Sequence, residues 1–424
     1  MSEDSPTGTG TGHGTGIGHE TATGHETATG AGHGRAVVPL VRMRARDPRE
    51  AHRAATPLEL FFDLCFVVAV AQAGARLVHG LAEGDTGHGI TGYLLVFFAI
   101  WWAWVNFTWF ASAYDCDDVP YRLATLVQIA GVLVLAAGVP RAFDQADYTV
   151  AIGGYLIMRV ALTLQWLRAA RGESGAARTT ALRYAAGLVL VQLGWVGLLL
   201  LPNAAWTWGF LPLVVAELAV PAFAEHRRRT PWHPHHIAER YGLFTIIMLG
   251  ETISAATVAV QSALDESAAL DELLPIAAGG LVIVFAAFWT YFAVPVHEYL
   301  ISNRQAFAWG YGHYVIFGSA AAIGAGIEVA VEQVTHHAHI STLTASLAVT
   351  VPTALFMITV WAVHTRHFKR STAQHLVSPI GAVLVLATSP AGHWAVPLAG
   401  AVAAATVAVG VHLAAVAPPG QQDS

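Results

Sequence analysis

Two carboxylate side chains, Glu59 and Asp63, lie four residues apart inside an apolar run that begins at Leu58. An α-helix brings such a pair to within about 6 Å on one face, where like charges repel. One of the two acids should therefore keep a proton, bind a cation or pair with a base. The other interpretation is structural, in which both acids cap neighbouring backbone or bridge to Arg residues.

Three further charged residues, Glu251, Arg159 and Glu217, each fall near the middle of an apolar segment. Ionisable groups inside a bilayer are costly and are functional-site hypotheses by default. Three charges cannot all cancel in pairs, so we expect one hydrated or protonatable carboxylate. We assign that role to Glu251, with Arg159 as its counter-charge or gate and Glu217 as a second carboxylate. The alternative is a structural Arg159–Glu pair, with the remaining Glu protonated against a hydroxyl.

A polar cluster precedes Glu251 in the same segment and consists of His235, His236, Glu239 and Arg240. The spacing of its His and Glu residues places side chains on one helix face, as metal ligands would require. A zinc site needs about four well-defined ligands, however, so we predict no metal. We interpret Glu239, with the two acids of the first segment, as an acidic mouth. His236 and Arg240 are further candidates for substrate or ion binding.

The elements that must position these residues are apolar segments, and a helix needs about 20 mostly apolar residues to cross a bilayer. Twelve such segments are predicted, at residues 58–80, 91–111, 120–139, 147–168, 181–201, 205–224, 236–261, 272–296, 309–333, 341–364, 376–391 and 395–416. The predicted fold class is therefore all-α, a polytopic helical membrane protein.

Composition supports a membrane location. Hydrophobic residues make up 55% of the 424 residues and charged residues only 12%, against about 25% charged residues in soluble domains. This deficit excludes an ordinary water-soluble enzyme, and the absence of a concentrated basic face argues against a nucleic-acid partner. No nucleophile elbow, phosphate-binding loop or CxxC pair occurs, so we expect neither enzymatic activity nor a cofactor. The two cysteines, Cys65 and Cys116, are expected to be reduced.

The basic residues between the segments fall on alternate sides, as the positive-inside rule requires. With the amino terminus inside, only Arg76, Arg141 and Arg159 of the 22 Lys and Arg residues lie elsewhere. The loops on the opposite side carry acidic residues instead. The pattern predicts a multi-pass protein of the bacterial inner (cytoplasmic) membrane with both termini cytoplasmic.

Four regions are predicted along the chain. Residues 1–54 form a cytoplasmic tail rich in Gly, Thr and His, in which GHETATG occurs twice. Such a tail buries too little apolar surface to fold and should be disordered. Residues 55–225 and 232–417 are interpreted as two six-helix membrane repeats, because FFAIWWAW in the second segment resembles VFAAFWTY in the eighth. An even number of helices makes the repeats parallel, and residues 418–424 form a short cytoplasmic tail.

Two motifs carry a family resemblance. They are TPLELFFDLCFVVAVAQ, from Thr56 to Gln72, and HHIAERYGLFTIIMLGETI, from His235 to Ile253. Together, and in this order, they resemble the signatures of the bacterial low temperature requirement A family. The resemblance extends over the whole membrane region. It implies a membrane protein whose family name records growth in the cold, a form of stress adaptation, and it implies no molecular activity.

The pattern Phe62-Asp63, followed by Phe66 and Ala69, is also similar to the first-helix motif of a potassium channel family built from two six-helix repeats. From the charged residues at the midplane, we expect a protein that moves a small solute or a monovalent cation or proton through that site. A secondary transporter would cycle the proton of one carboxylate, whereas a cation channel would keep a continuous hydrated path. The contrasting hypothesis is a membrane sensor or structural protein that transports nothing.

Overall fold

A computed structural model describes residues 39–48, 50, 53–202, 204–265 and 270–416, and this part of the chain is helical without strands. Twelve α-helices follow one another: α1 Pro57–Ala82, α2 Thr86–Tyr114, α3 Val119–Asp144, α4 Thr149–Gly172, α5 Gly175–Leu199, α6 Ala204–Glu225, α7 Pro234–Asp265, α8 Leu270–Tyr291, α9 Asn303–Val334, α10 Thr342–Val360, α11 Thr372–Ala387 and α12 Ala395–Ala415. The predicted tails lie outside the described residues at 1–38 and 418–424.

Eleven of these helical segments are long and apolar enough to cross a membrane. The exception within the described residues is α11, whose 16 residues make a helix of about 24 Å, shorter than the roughly 30 Å hydrocarbon core. The structure confirms the predicted all-α class with twelve helices and indicates a polytopic membrane protein.

Local sequence explains where two of the helices begin. Thr56 caps α1: its hydroxyl accepts the backbone N–H of Glu59, and the Glu59 carboxylate accepts the backbone N–H of Thr56. This capping box satisfies two donors that have no partner inside the helix. Ser371 and Gln374 form the same box at α11. The box starts α11 earlier than the apolar segment predicted from residue 376.

Side-chain contacts place the starts of odd-numbered helices beside the ends of even-numbered ones. Arg53, just before α1, donates to the carbonyls of Ala111 and Ser112 near the end of α2. Asn303, at the start of α9, donates to Glu225 at the end of α6. Arginines collect at this end of the bundle, which we call the basic end: Arg46, Arg53, Arg168, Arg178, Arg228, Arg366 and Arg370.

Helices α2 and α9 form the centre of the bundle. In each, 78% of the most apolar stretch is buried, against 17–50% in the other spans. Helix α1 packs against α2, α3 and α9, and α7 packs against α8 and α9. The Tyr93 hydroxyl of α2 donates to the Gly318 carbonyl of α9 at 2.7 Å. The two central helices can therefore present side chains to both predicted halves of the chain.

Small residues allow α3 and α4 to approach closely. A Cβ added at Gly154 would lie 2.3 Å from the backbone nitrogen of Leu135, and one at Gly138 would lie 2.4 Å from that of Ala151. The neighbouring Gly153 faces open space, with nothing within 4 Å of an added Cβ. Only glycine fits at the two contact positions, as is common where membrane helices pack backbone to backbone.

Residues 39–48, which composition assigned to the disordered tail, pack against the basic end instead. Met43 is 1% exposed, and the backbone N–H groups of Val41 and Ala45 donate to Asp118 and Glu173. These described residues of the predicted tail therefore contact the helices of the bundle. The Gly/Thr/His composition stops near residue 34, and the apolar residues that follow it have surface to bury. From residue 39 on, the described residues form one compact unit without a break between the predicted halves.

The end of α10 departs from α-helical geometry. It passes into a wide π turn, Trp361–Thr365, and then into a 3-10 turn, Arg366–Phe368. Such π turns occur frequently at functional sites. The segment places Thr365 and the residues after it at the basic end, between α8 and α11.

Candidate functional site

A buried ion network joins α1, α2 and α7. Arg240 donates from Nε to Asp63 Oδ2 at 3.1 Å and from Nη2 to Asp63 Oδ1 at 2.5 Å. This two-point contact matches the planar guanidinium to the carboxylate. Trp104 of α2 donates from Nε1 to Asp63 Oδ1 at 2.7 Å. Both charged residues are 0% exposed, so the network fixes the three helices against one another.

Glu59 joins this network one turn before Asp63. Its Oε1 atom lies 3.2 Å from Arg240 Nη1 and 3.2 Å from His236 Nε2, while its Oε2 atom accepts the Thr56 N–H at 2.8 Å. The two acids on one face of α1 therefore share Arg240 of α7 as a common partner. Their mutual repulsion is relieved by Arg240, and Glu59 is both a helix cap and part of an ion pair.

The network continues towards the basic end through Arg53. Its Nη2 atom lies 3.9 Å from Glu59 and 3.7 Å from Asp115. Burial, followed by the nearby charge of Glu59, raises the pKa of Asp115 to about 6. Burial also lowers the pKa of Arg53. The raised pKa belongs to the carboxyl at the outer edge of the network.

Glu239 and His233 hold the chain that leads into α1. Glu239 Oε2 accepts the Ala55 N–H at 3.2 Å, and His233 Nε2 lies 2.8 Å from the Glu50 carbonyl oxygen. Glu239 thus lies at the basic end, where the acidic mouth was predicted, and it is bonded to backbone. In the ranges that the structure covers, no group of three or more His, Cys, Asp or Glu side chains could hold a metal ion.

A second buried ion pair links α4 to α6. Arg159 Nη2 lies 3.2 Å from Glu217 Oε2, and both residues are 1% exposed. Four other side chains donate to the same carboxylate at 2.9–3.3 Å: Trp102, Tyr155, Gln192 and Trp195. A carboxylate has about four lone-pair sites. Five donors saturate this one and leave it no free site for an ion or substrate.

Glu251 lies apart from both ion pairs. It is half-buried near the midpoint of α7, and its carboxyl makes no hydrogen bond or ion pair with the described part of the chain. The predicted pairing of Arg159 with Glu251 is not formed. Helix α4 packs on α3 and α5, whereas α7 packs on α8 and α9. The sequence pattern places Arg159 and Glu251 at a similar depth in the membrane, but the helices that carry them, α4 and α7, do not pack together.

Sequence reasoning missed the hydrogen-bond donors on α2. Trp102 and Trp104 belong to an aromatic stripe on this helix, a pattern more typical of packing or an interfacial belt, yet their N–H groups donate to Glu217 and Asp63. Residues two apart lie about 200° around a helix axis. The stripe therefore reaches both ion pairs from one central helix. The sequence did contain a signal for these contacts. Tryptophan indole N–H groups lie at the same predicted membrane depth as acids to which no partner had been assigned.

Two other buried polar groups were also missed. Glu225 accepts hydrogen bonds from Tyr184, Thr230 and Asn303 at 2.6–2.7 Å. His313 lies 2.9 Å from the Tyr291 hydroxyl and 2.7 Å from the Trp309 carbonyl. Trp309 Nε1 donates to His364 at 3.2 Å. Both groups are internally satisfied and lie between helices that are distant in sequence.

The arrangement separates fixed charges from an exchangeable one. Breaking a buried pair by removing one partner leaves a costly uncompensated charge, so Asp63, Glu59 and Glu217 are committed to their partners. Glu251 can gain or lose a proton without breaking any bond found in the described residues. Of the predicted site residues, it is the one whose surroundings leave it free for chemistry.

Comparison with known proteins agrees with the motifs. The chain is 32% identical over 203 residues to Uncharacterized protein RA0937 of Rhizobium meliloti (strain 1021), an alignment that covers 46% of this chain and 48% of that relative. The chain thus matches about half the length of this relative. The family model described as Bacterial low temperature requirement A protein (LtrA) matches residues 54–415. That range includes both buried ion pairs and Glu251, and the chain belongs to the bacterial low temperature requirement A (LtrA) family.

Proposed function

We propose that the protein moves a proton, alone or coupled to a small solute or monovalent cation, across the bilayer, with Glu251 as the exchanging carboxyl. The observation that supports this most is the isolation of Glu251 near the middle of an apolar helix. An ionised carboxylate without a partner is costly in hydrocarbon. Exchange of its proton therefore requires that water reach it from one side of the membrane or the other.

The residue beside Glu251 is exposed on the surface of the bundle. A Cβ added at the preceding residue, Gly250, would meet nothing within 4 Å. On the other side of Glu251, the Thr252 hydroxyl donates to the Ala320 carbonyl at 3.0 Å and fixes α7 against α9. Water that reached the carboxyl from one end at a time would make the protein a transporter. A continuous hydrated path would make it a cation channel.

The ion network at the basic end would form the wall of the entrance in this proposal. Arg240 precedes Glu251 by eleven residues, which is about 16 Å along the helix. Arg240 holds Glu59 and Asp63, and Glu239 is bonded to backbone, so these acids would shape the entrance rather than carry protons. The Arg159–Glu217 pair would keep α4 and α6 in register.

A sensor or structural role without transport is the second candidate. The observation that favours it is the saturation of Glu217 by five donors. Buried polar groups of this kind can specify how helices align without contributing to chemistry. Glu251 would then hold its proton permanently.

The proposal also includes the membrane topology that the sequence predicts. We propose two parallel six-helix halves in the inner membrane, with both termini cytoplasmic and a part in adaptation to cold stress, and no enzymatic activity. Corresponding helix pairs support the two halves: α1 packs on α3 as α7 packs on α9, and α3 packs on α4 as α9 packs on α10. The gathering of arginines at one end supports the orientation.

Proton flux into liposomes tests the proposal. Purified protein is reconstituted and flux is read with an enclosed pH-sensitive dye under pH and potassium gradients. We expect Glu251→Gln to lower the wild-type flux about 100-fold, because an amide cannot exchange a proton. Glu328→Gln is the matched control, since Glu328 is also half-buried but lies near the end of α9, where water is close. The control should retain flux.

The possible outcomes separate the candidates. Absence of wild-type flux under every gradient would favour the role without transport. Flux that is unchanged in Glu251→Gln would remove this residue from the mechanism, and equal losses in both variants would show that Glu251 has no special part. Thermal unfolding of each variant shows whether the fold is intact.

A further inference from the structure

A cavity of about 610 Å³ lies at the basic end, apart from both ion pairs and from Glu251. It is bounded by the end of α8, the turns that follow α10, the start of α11 and the end of α12. The lining residues that matter here are Trp289, Thr365, Lys369, Gln374, Ser378 and Gly410. The volume falls within the range of small-molecule sites, about 300–1,000 Å³.

One wall of the cavity is apolar and continuous with the surface that faces lipid. Phe288, Trp289 and Phe292 at the end of α8 are 46%, 56% and 41% exposed. Val407 and Val411 continue the wall on α12. A hydrocarbon chain that entered from the bilayer would find apolar contacts on two sides.

The opposite wall is polar. Thr365, Lys369, Gln374 and Ser378 line it. Thr365 is 2% exposed, and its Oγ1 atom has no hydrogen-bond partner among the described residues. Buried polar atoms of native proteins are nearly always paired. The unpaired hydroxyl therefore points to a polar ligand in this cavity.

The charge at the polar wall has one sign. Lys369 makes no ion pair with the described residues, and Arg366 and Arg370 flank it in the sequence. No Asp or Glu occurs between residues 333 and 416. Burial lowers the pKa of Lys369, a cost that an anionic partner would offset. The wall therefore complements an anion.

We propose that this cavity binds an anionic phospholipid, with the phosphate on Lys369 and an acyl chain along the wall formed by α8 and α12. Basic pockets between transmembrane helices bind anionic head groups in this way. A free anion would have no use for an apolar wall of this size, and a zwitterionic lipid carries no net charge to match Lys369. The site is independent of the proposed proton transport.

Lys369 is the only lysine in the 424 residues, which makes it a selective reporter. The protein is placed in nanodiscs of phosphatidylcholine alone or with 20% phosphatidylglycerol, and an amine-reactive reagent is added. Mass spectrometry of the peptide that contains Lys369 gives the rate of modification. We expect phosphatidylglycerol to slow this rate about fivefold, as a charge contact at a membrane surface predicts.

A second lysine separates specific binding from the general surface potential. Arg178→Lys adds an amine at the exposed start of α5, at the same end but outside the cavity. We expect phosphatidylglycerol to slow modification of the lysine at position 178 as well. The factor should be less than half of the factor by which it slows modification of Lys369. Equal protection at both positions would overturn the proposal, because the surface potential alone would explain it. Protection by inorganic phosphate in phosphatidylcholine discs would also overturn it in favour of a free-anion site.

Two substitutions test the two walls of the cavity separately. Gly410→Leu adds apolar bulk on the apolar side, where nothing lies within 4 Å of an added Cβ, and it should restore modification of Lys369 to the rate in phosphatidylcholine. Lys369→Gln should remove phosphatidylglycerol that co-purifies with the protein in native mass spectra, and Lys369→Arg should retain it. Lipid retention that survives both Gly410→Leu and Lys369→Gln would contradict the site.

Discussion

At the scale of single residues, the central feature is the use of one base for two acids. Arg240 contacts Asp63 at two points and Glu59 at a third, and all three residues are fully buried. Removing one member of a buried pair costs about 3–5 kcal/mol because the other charge stays uncompensated. An exposed pair contributes only about 0–1 kcal/mol. The stability of the bundle should therefore depend far more on Arg240 than on surface arginines.

Replacing Arg240 tests this dependence. Arg240→Gln leaves both Asp63 and Glu59 without their base, and we expect the free energy of unfolding to fall by about 3–5 kcal/mol. Denaturant titration of the protein in detergent, followed by far-UV circular dichroism, measures the change. Arg76→Gln is the control, because Arg76 and Asp144 form an exposed pair at 2.9 Å and should contribute at most about 1 kcal/mol. Similar losses in the two variants would argue against the network as a structural lock.

At the scale of helices, the α3–α4 contact shows how the choice of residue determines the distance between two packed helices. Gly138 and Gly154 meet backbone atoms of the partner helix, so their lack of a side chain determines how closely the helices approach. Gly153, next to Gly154, faces away from the contact. The same residue type therefore has opposite consequences at adjacent positions.

Alanine substitution at this pair of positions tests the contact. Gly154→Ala must push α3 and α4 apart and should destabilise the protein by about 1–3 kcal/mol, as overpacking does. Gly153→Ala should be neutral or stabilise by up to about 1 kcal/mol, because alanine favours the helix. The difference in thermal unfolding midpoint between the two variants measures the effect. A lower midpoint for Gly153→Ala than for Gly154→Ala would contradict the assigned packing.

The positions of the helices along the chain were largely predictable from the sequence. Which helices pack together, and which side chains pair between them, was not. Hydropathy locates apolar runs along the chain, so the depth of Glu251 and Arg159 could be inferred. It gives no direction around the helix axis, and so the actual partner, Glu217, could not be distinguished from Glu251. The spacing of Glu59 and Asp63 did imply a shared face. The capping box at Ser371 and the packing of residues 39–48 were missed because the apolar runs were located from hydropathy alone.

At the scale of the whole molecule, the basic end gives the bundle a polarity. The arginines in the loops gather there, and the opposite end carries the exposed acid Asp271 and the exposed residue Gln145. Cytoplasmic loops retain positive charge, which predicts that the basic end faces the cytoplasm. Cys65 and Cys116 are half-buried and form no disulfide, so replacing both leaves an introduced cysteine as the one site for labelling.

Single introduced cysteines test this orientation. In a background that carries Cys65→Ala and Cys116→Ala, we expect Gln145→Cys to react with a membrane-impermeant maleimide on spheroplasts, where the outer face of the membrane is accessible. Arg178→Cys at the basic end should react only after the membrane is permeabilised. The reverse pattern of labelling would invert the topology and the direction of any proton movement.

The separation of Asp63 from Arg240 along the chain has a consequence for biogenesis. The two residues are 177 positions apart, so at about 5–20 residues per second the ribosome delivers Arg240 roughly 10–35 s after Asp63. During that interval α1 has two carboxyls and no base from α7. The nascent helix must therefore enter lipid in a protonated form or wait beside the insertion machinery until the seventh helix arrives.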